Sequence, residues 1–553
     1  MKQKSNQITT FVFGALAILA GTVAVILPNI FSGEPAVGAT PVDLKLSPQP
    51  YPVQGISIPP KPVSSSSSNV VDDLTGKPVE HTHRVSGQFQ FEYQVGLLVN
   101  AQQSPLFPWK ATVTNTPQSR LVRDAVVILE DECGHYIKRK ISSNGDFSFE
   151  WTPVGCNKGK ITVWSVAPGN KADKVGVGKW LKGPVNTMDE LTSNTSDYIP
   201  YSFSHSFDIK PARKNGGNDL DLEKITIPLN DEASRGFFIM DNVLIARSYY
   251  SSLPGISDTK LVKINVVHSK GLKPRGLECD AWDAKEKNLQ SAIYVPTKDL
   301  GFIFIPWDCN DLGQDAHAHI HETSHYFQRL FLRQNPDYGR FGEGLANVQS
   351  AIIRKSQWIT TTGTDLVENL DVNARMACWN GTEWNPRIDT PSQFNECTNS
   401  GGIPGFPQAV VWSNNLASAG WFQRIVWDLV DGGTSEPEPL TTFIIPNQSP
   451  NNCGNACEFG QFDKITGSGT STPPSSLAIN DVLIYYLGGN GALGTNPNYV
   501  DRGLPGLDIT DFLDGMICRG HISASAANEL VATAMGLNYE AEGSPTSCPH
   551  PLD

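Results

Sequence analysis

His321-Glu322-Thr323-Ser324-His325 has the residue types and spacing of a metal site built on a single helix. Positions i and i+4 stack on one helical face, so the two imidazoles stand side by side and can grip one tetrahedral ion. Glu322 projects from the edge of that face, where it can reach a water rather than the ion itself. Zinc lowers the pKa of such a water toward neutrality, and a carboxylate can then take its proton. Catalytic zinc usually has three protein ligands. The run Phe341-Gly342-Glu343-Gly344-Leu345-Ala346-Asn347 offers the third in Glu343. The connector from Arg333 to Gly339, with Pro336 inside it, turns the chain so that a second helix lies against the first. Asn347, one turn after Glu343, can hydrogen-bond a ligand histidine from behind.

H-E-x-x-H followed at this distance by an E-G-x-A run on a helix resembles the gluzincin zinc metallopeptidases. The resemblance covers Asp315 to Gln349. It implies that His321, His325 and Glu343 hold Zn2+, that Glu322 is the general base, and that the reaction is hydrolysis of a peptide bond. Thermolysin-like members carry an Asp one turn after the ligand Glu. Asn347 stands there instead, accepts a hydrogen bond without a charge, and would leave its histidine a little less basic. The family also implies that a strand before the zinc helix rims the cleft and takes up the substrate edge-on. Phe302 to Ile305 is the strand so placed, with an ordinary core strand as the other reading. A Tyr or His from the C-terminal lobe would stabilise the oxyanion; Tyr485, Tyr486 and His521 are the residues available, and their spacing does not choose among them.

Other catalytic signatures are missing. Gln328 and Phe331 occupy the places where a metzincin needs Gly and His. There is no G-x-M-E-N run, which points to endopeptidase rather than aminopeptidase action. There is also no G-x-S-x-G elbow and no phosphate-binding G-x-x-x-x-G-K-[ST]. His317 lies one turn before His321, and His319 lies off that face. Since Glu343 completes the ligand set, both read as members of a polar, partly exposed first turn. Asp315 reads as a favourable charge at the helix start.

The elements that must position these residues follow from the rest of the chain. Its 553 residues allow two or three domains. A net charge of −13, with 43 Lys and Arg against 56 Asp and Glu, argues against nucleic acid as a partner. The expected partner is a peptide or protein substrate. Residues 1–31 read as a signal peptide or a membrane anchor, because Lys2 and Lys4 precede an apolar stretch from Ile8 to Leu27. Val37-Gly38-Ala39 permits cleavage, and the length of the apolar run permits retention. Either way the rest of the chain is exported, secreted or anchored in the cell envelope. Ten cysteines fit that setting as disulfides, with pairing of sequential neighbours the simplest arrangement. Cys453-x-x-x-Cys457 reads as a tight disulfide loop rather than half a metal knuckle.

Residues 32–86, Pro- and Ser-rich, read as a linker. Residues 87–228 carry period-two alternation, as in Phe89 to Val95, together with β-branched runs at Ala125 to Leu129 and Ile161 to Val166. Asn144-Gly145 reads as a hairpin turn. Arg123 to Asp131, Asn144 to Phe149 and Pro153-Val154-Gly155 together resemble the carboxypeptidase regulatory-like β-sandwich, which implies an accessory domain. Residues 229–553 mix strands and helices and read as the catalytic domain. Helices are expected over Phe237 to Tyr250, Leu312 to Leu332, Ser418 to Leu429, Asp481 to Leu487, Asp511 to Met516 and Ser523 to Met535. Strands are expected at Val262 to Val267 and Ser291 to Val295. The fold class expected is therefore multidomain: an N-terminal all-β sandwich, then an α+β zinc-metallopeptidase domain with a mostly helical C-terminal lobe. A second functional reading is a cell-envelope binding or adhesion protein whose zinc site is inert or structural. Glu322 argues against it, since an inert site has no need of a base.

Overall fold

The structure is a computed structural model. It describes residues 83–99, 109–113, 116–151, 156–169, 173–180, 198–208, 219–256, 258, 261, 263–270, 293–296, 301–307, 311–333, 338–356, 358–360, 366–370, 378–379, 384–385, 419–431, 443–444, 475–488 and 506–535. The expected export segment, the linker up to residue 82 and Cys453-x-x-x-Cys457 lie outside the described residues. No helix among the described residues is long and apolar enough to cross a membrane.

Strands dominate the first part of the chain. They are β1 (His83–Tyr93), β2 (Gly96–Val99), β3 (Trp109–Val113), β4 (Gln118–Leu121), β5 (Val126–Asp131), β6 (Tyr136–Lys140) and β7 (Asp146–Trp151). Then come β8 (Lys158–Trp164), β9 (Val166–Ala167), β10 (Val175–Trp180), β11 (Tyr198–Pro200), β12 (Ser202–Asp208) and β13 (Leu220–Ile227). One sheet runs β13-β1-β4, with β7 also on β1, and a second runs β12-β8-β5-β6. Alternation fixes which face is buried: Val85, Phe89 and Phe91 of β1 and Phe147, Phe149 and Trp151 of β7 point inward. They share one core with Val127, Leu129, Ile161 and Val163 of the second sheet. Cys133 and Cys156 form a disulfide, the sequential-neighbour pairing expected of them, and Cys518 is disulfide-bonded too.

The Asn144-Gly145 turn forms, with Gly145 at φ 81°, and Ser142 N–H donates to Asp146 O (3.1 Å). It does not join a hairpin. β6 pairs with β5 while β7 pairs with β1, so the turn carries the chain from one sheet to the other.

The first long helix, α1 (Glu232–Ser251), is capped by Asp231, whose side chain accepts from Ala233 N–H. After it come β14 (Ile264–His268), β15 (Ile293–Pro296), β16 (Gly301–Ile305), α2 (Ala316–Phe331) and α3 (Tyr338–Arg354). The sheet under these helices has the order β11-β10-β14-β16-β15, with β9 on β10. Its strands β10, β14 and β16 are parallel, and β15 is antiparallel at the edge. The sheet thus takes strands from both sides of the boundary expected near residue 228. Phe237 and Phe238 of α1, Val266 of β14, Ile303 of β16, and Ile320 and Phe327 of α2 belong to the same core as the first two sheets. The β16 segment is therefore an inner strand and not the rim. The rim is β15.

Strands β17 (Trp358–Thr360) and β18 (Leu366–Asn369) join β3 and β2 in a further sheet. The described residues beyond are mainly helical: α4 (Ala419–Asp431), α5 (Ser476–Asp481) running into a π-helical turn at Val482–Tyr486, α6 (Ile509–Cys518) and α7 (Ala524–Met535). They bury a second core against α3, through Phe341, Leu345, Phe422, Ile425, Phe512 and Leu530. The architecture is a multidomain-like mixture of sheets and helices, and α2 and α3 sit where its two cores meet.

Candidate metal centre

Asp315 starts α2 by accepting from the N–H groups of His317 and Ala318, as a helix-start carboxylate should. From there His317, His321 and His325 follow at intervals of one turn. α3 packs across this face, and the ligand atoms of His321, His325 and Glu343 come within 4.8 Å of one another. His321 Nε2 lies 3.2 Å from Glu343 Oε2, His325 Nε2 lies 3.3 Å from Glu343 Oε1, and the two Nε2 atoms are 3.1 Å apart. Glu322 Oε1 is 4.0 Å from His321 Nε2. His321 and Glu322 are buried, whereas the Glu343 side chain keeps 27% of its surface, so the group opens toward solvent on that side.

The backs of both imidazoles are held. His321 Nδ1 donates to Asn347 Oδ1 at 2.7 Å, and His325 Nδ1 donates to Gln328 Oε1 at 3.1 Å. An amide oxygen only accepts, so both protons sit on Nδ1 and both Nε2 atoms present lone pairs. Two lone pairs and a carboxylate at these separations need a positive charge among them, a proton or a metal ion. His325 can supply it as a proton. Burial pulls its pKa down, but the charge and hydrogen bond of Glu343 outweigh burial and lift it to about 9. For Glu343, burial raises the pKa, and the two imidazoles hold it well below the usual carboxylate range. A divalent cation would compete with that proton for the same donors. Two nitrogens and a carboxylate with an open side match the donor set of catalytic zinc.

Glu322 has its pKa raised by burial, against the pull of His321 and His325 and with help from Glu343. Its carboxylate also accepts the backbone N–H of Tyr294 on β15. That bond ties the rim strand to the acid. Because Tyr294 N–H turns to Glu322, it points away from β16, and the next residue facing that way, Pro296, has no N–H.

The remaining sequence readings come out unevenly. Glu343 and Asn347 lie where expected. His317 and His319 are not partly exposed but fully buried, because α3 and α1 cover the first turn. His317 Nε2 is 3.2 Å from Asn347 Oδ1 and its Nδ1 is 2.9 Å from Ser350 Oγ. His319 Nε2 donates to Leu312 O at 2.8 Å, and its Nδ1 faces Asn242 Nδ2 at 3.1 Å. Neither enters the ligand group. The oxyanion candidates are occupied elsewhere: Tyr485 donates to Pro254 O, Tyr486 is buried in the second core, and His521 pairs with Asp481. Gln328, Gln423 and Tyr294 are additions that the sequence did not supply. Gln328 had a local signal, since it lies one turn after His325. No family model and no curated protein sequence matches this chain.

Proposed function

We propose that this protein is an exported zinc-dependent peptidase of the gluzincin type, with His321, His325 and Glu343 as ligands and Glu322 as general base. The observation that carries the reading is the position of Glu322. It lies beside the three-donor group without belonging to it, with its pKa raised, on the side where the rim strand β15 runs. When bound, zinc supplies a Lewis acid that polarises a carbonyl and makes water acidic enough to lose a proton near neutral pH.

The chain's own residues supply the rest. Glu322 takes a proton from the attacking water on its carboxylate and hands it to the leaving amine. The Tyr294 N–H orients that carboxylate. The outer edge of β15 would offer main-chain carbonyls to an extended peptide, since its outward N–H at Tyr294 is turned to Glu322 and Pro296 has none, and such contacts would make recognition tolerant of sequence. The N-terminal strands, read as a β-sandwich, would be an accessory layer packed on the same core as the metal-site helices, and the Cys133–Cys156 disulfide supports a location outside the cytoplasm.

The test is cleavage of a mixed peptide library by the zinc-loaded chain. The expected result is internal cleavage that a chelator abolishes and that Glu322→Gln reduces by about 10²- to 10⁴-fold with zinc still bound. Equal cleavage by both forms would remove Glu322 from the role of base. Tight zinc binding with no cleavage by either form would favour a binding protein with an inert site.

A further inference from the structure

A ligand histidine needs one bare nitrogen, and the group behind its other nitrogen decides which one that is. For His325 a main-chain carbonyl makes the decision. Gln328 Nε2 donates to Gly342 O at 3.0 Å, so the amide can only turn its oxygen to His325. For His321 the decision falls to side chains. Asn347 Oδ1 sits between His321 Nδ1 (2.7 Å) and His317 Nε2 (3.2 Å), and Asn347 Nδ2 donates to Gln423 Oε1 on α4 (2.7 Å).

We propose that Gln423 and His317 are positioning residues for the metal centre. Together they hold the Asn347 amide with its oxygen toward His321, which keeps the proton on His321 Nδ1 and the lone pair on Nε2. The inference rests on the metal-centre reading above. The two ends of an asparagine amide are nearly equal in size, so shape does not choose between them. Reversed, Asn347 would point N–H groups at both histidines. His321 would then carry its proton on Nε2, facing Glu343, and would offer an ion nothing.

Two contacts select the productive orientation. Gln423 Oε1 draws Nδ2 to its own side, and Gln423 is only 2% exposed, so water does not easily replace it. On the other side, Arg354 Nη2 lies 3.4 Å from His317 Nδ1. A guanidinium only donates, so Nδ1 of His317 accepts and Nε2 carries the hydrogen that Asn347 Oδ1 receives. Arg354 thus orders His317, and His317 and Gln423 order Asn347. A carboxylate in place of Asn347 would have no wrong way round, because both of its oxygens accept.

That last point supplies the test. Zinc affinity of the intact chain is measured by chelator competition for Gln423→Leu, for Gln423→Leu with His317→Leu, and for both sets in an Asn347→Asp background. With Asn347 present, the double variant is expected to lose about 10- to 100-fold in affinity, the range for groups that orient metal ligands. With Asn347→Asp the loss should shrink below about 3-fold, as should that of Gln423→Glu, which keeps an acceptor. Nitrogen-15 NMR of the histidines should show the His321 Nδ1–H form depleted in Gln423→Leu, a readout that remains if the double variant does not fold. Losses of equal size with Asn and with Asp at this position would mean packing alone and overturn the proposal. So would unchanged affinity and an unchanged His321 tautomer. Failure of the unsubstituted chain to take up zinc would sink the metal centre itself, whereas tight uptake indifferent to Gln423 and His317 would sink only this inference.

Discussion

Asp131, His135 and Cys156 in the strand-rich region, and His321, His325 and Glu343 on α2 and α3, both gather three metal-capable groups within 4.8 Å. In the first group the sulfur, the carboxylate and the imidazole nitrogen facing it are already committed. Cys156 is bonded to Cys133, and the Asp131 carboxylate accepts from Cys133 N–H, His135 N–H, His135 Nδ1 and Trp151 Nε1. The carboxylate closes the β5–β6 turn and pins Trp151 of β7 to it. In the second group the hydrogen bonds lie behind the imidazoles, on Nδ1, and the lone pairs converge. Proximity of His, Cys and carboxylate is common to both. The placement of the protons separates a structural staple from a site with chemistry left over.

The sharpest way to break this contrast is to remove one donor from each group. His325→Ala is expected to weaken zinc binding by more than about 100-fold, beyond what loss of an orienting group costs. Asp131→Asn should leave zinc binding within about 2-fold, and should destabilise the fold by about 1–3 kcal/mol, because a buried charge-assisted network loses part of its acceptor. Chelator competition and denaturant unfolding measure the two effects. The contrast fails if Asp131→Asn changes zinc binding or His325→Ala does not.

Gln328→Met comes next. It removes the acceptor behind His325 while nearly keeping its volume, and zinc affinity should fall by about 10- to 100-fold. Unchanged affinity would mean that the converging lone pair of His325 does not depend on the hydrogen bond behind it.

Histidines that burial holds neutral provide the smallest test. His268 donates from Nδ1 to Ile305 O, and burial holds its pKa down to about 3, with a smaller push from His319 and Arg235. His319 is likewise held at about 3 by burial. Folded pKa values below the unfolded value of about 6.5 mean that the unfolded chain binds more protons between pH 6.5 and 3. The stability from these neutral imidazoles is complete above pH 6.5 and drains away as pH falls through that window. His268→Asn, which keeps a donor near Ile305 O, should flatten the slope of unfolding free energy between pH 6 and 4 by about one proton, or about 1.4 kcal/mol per pH unit. An unaltered slope would show that His268 is not buried in neutral form.

How much of this was legible in the sequence depended on the distance over which each relation is set. His321, Glu322 and His325 are fixed by helical periodicity alone, and Glu343 and Asn347 needed only a short connector and a second helix. Gln423 lies 76 positions from the asparagine it touches, and no spacing rule reaches that far. His317 and His319 look like any polar first turn, and only the packing of α1 and α3 makes them buried. β15 and β16 are similar apolar runs, and pairing, which is set by the whole sheet, decides which is the edge. The Asn144-Gly145 turn shows the same limit. Its backbone chemistry was readable, but the sheets it connects were not.

The most direct test of the central claim is zinc titration of the chain, followed by X-ray absorption spectroscopy at the zinc edge. One ion per chain in a shell of two imidazole nitrogens and carboxylate or water oxygens, lost in His325→Ala and kept in Glu322→Gln, is the predicted result. A shell containing sulfur, an ion that survives His325→Ala, or no tightly held zinc would contradict it.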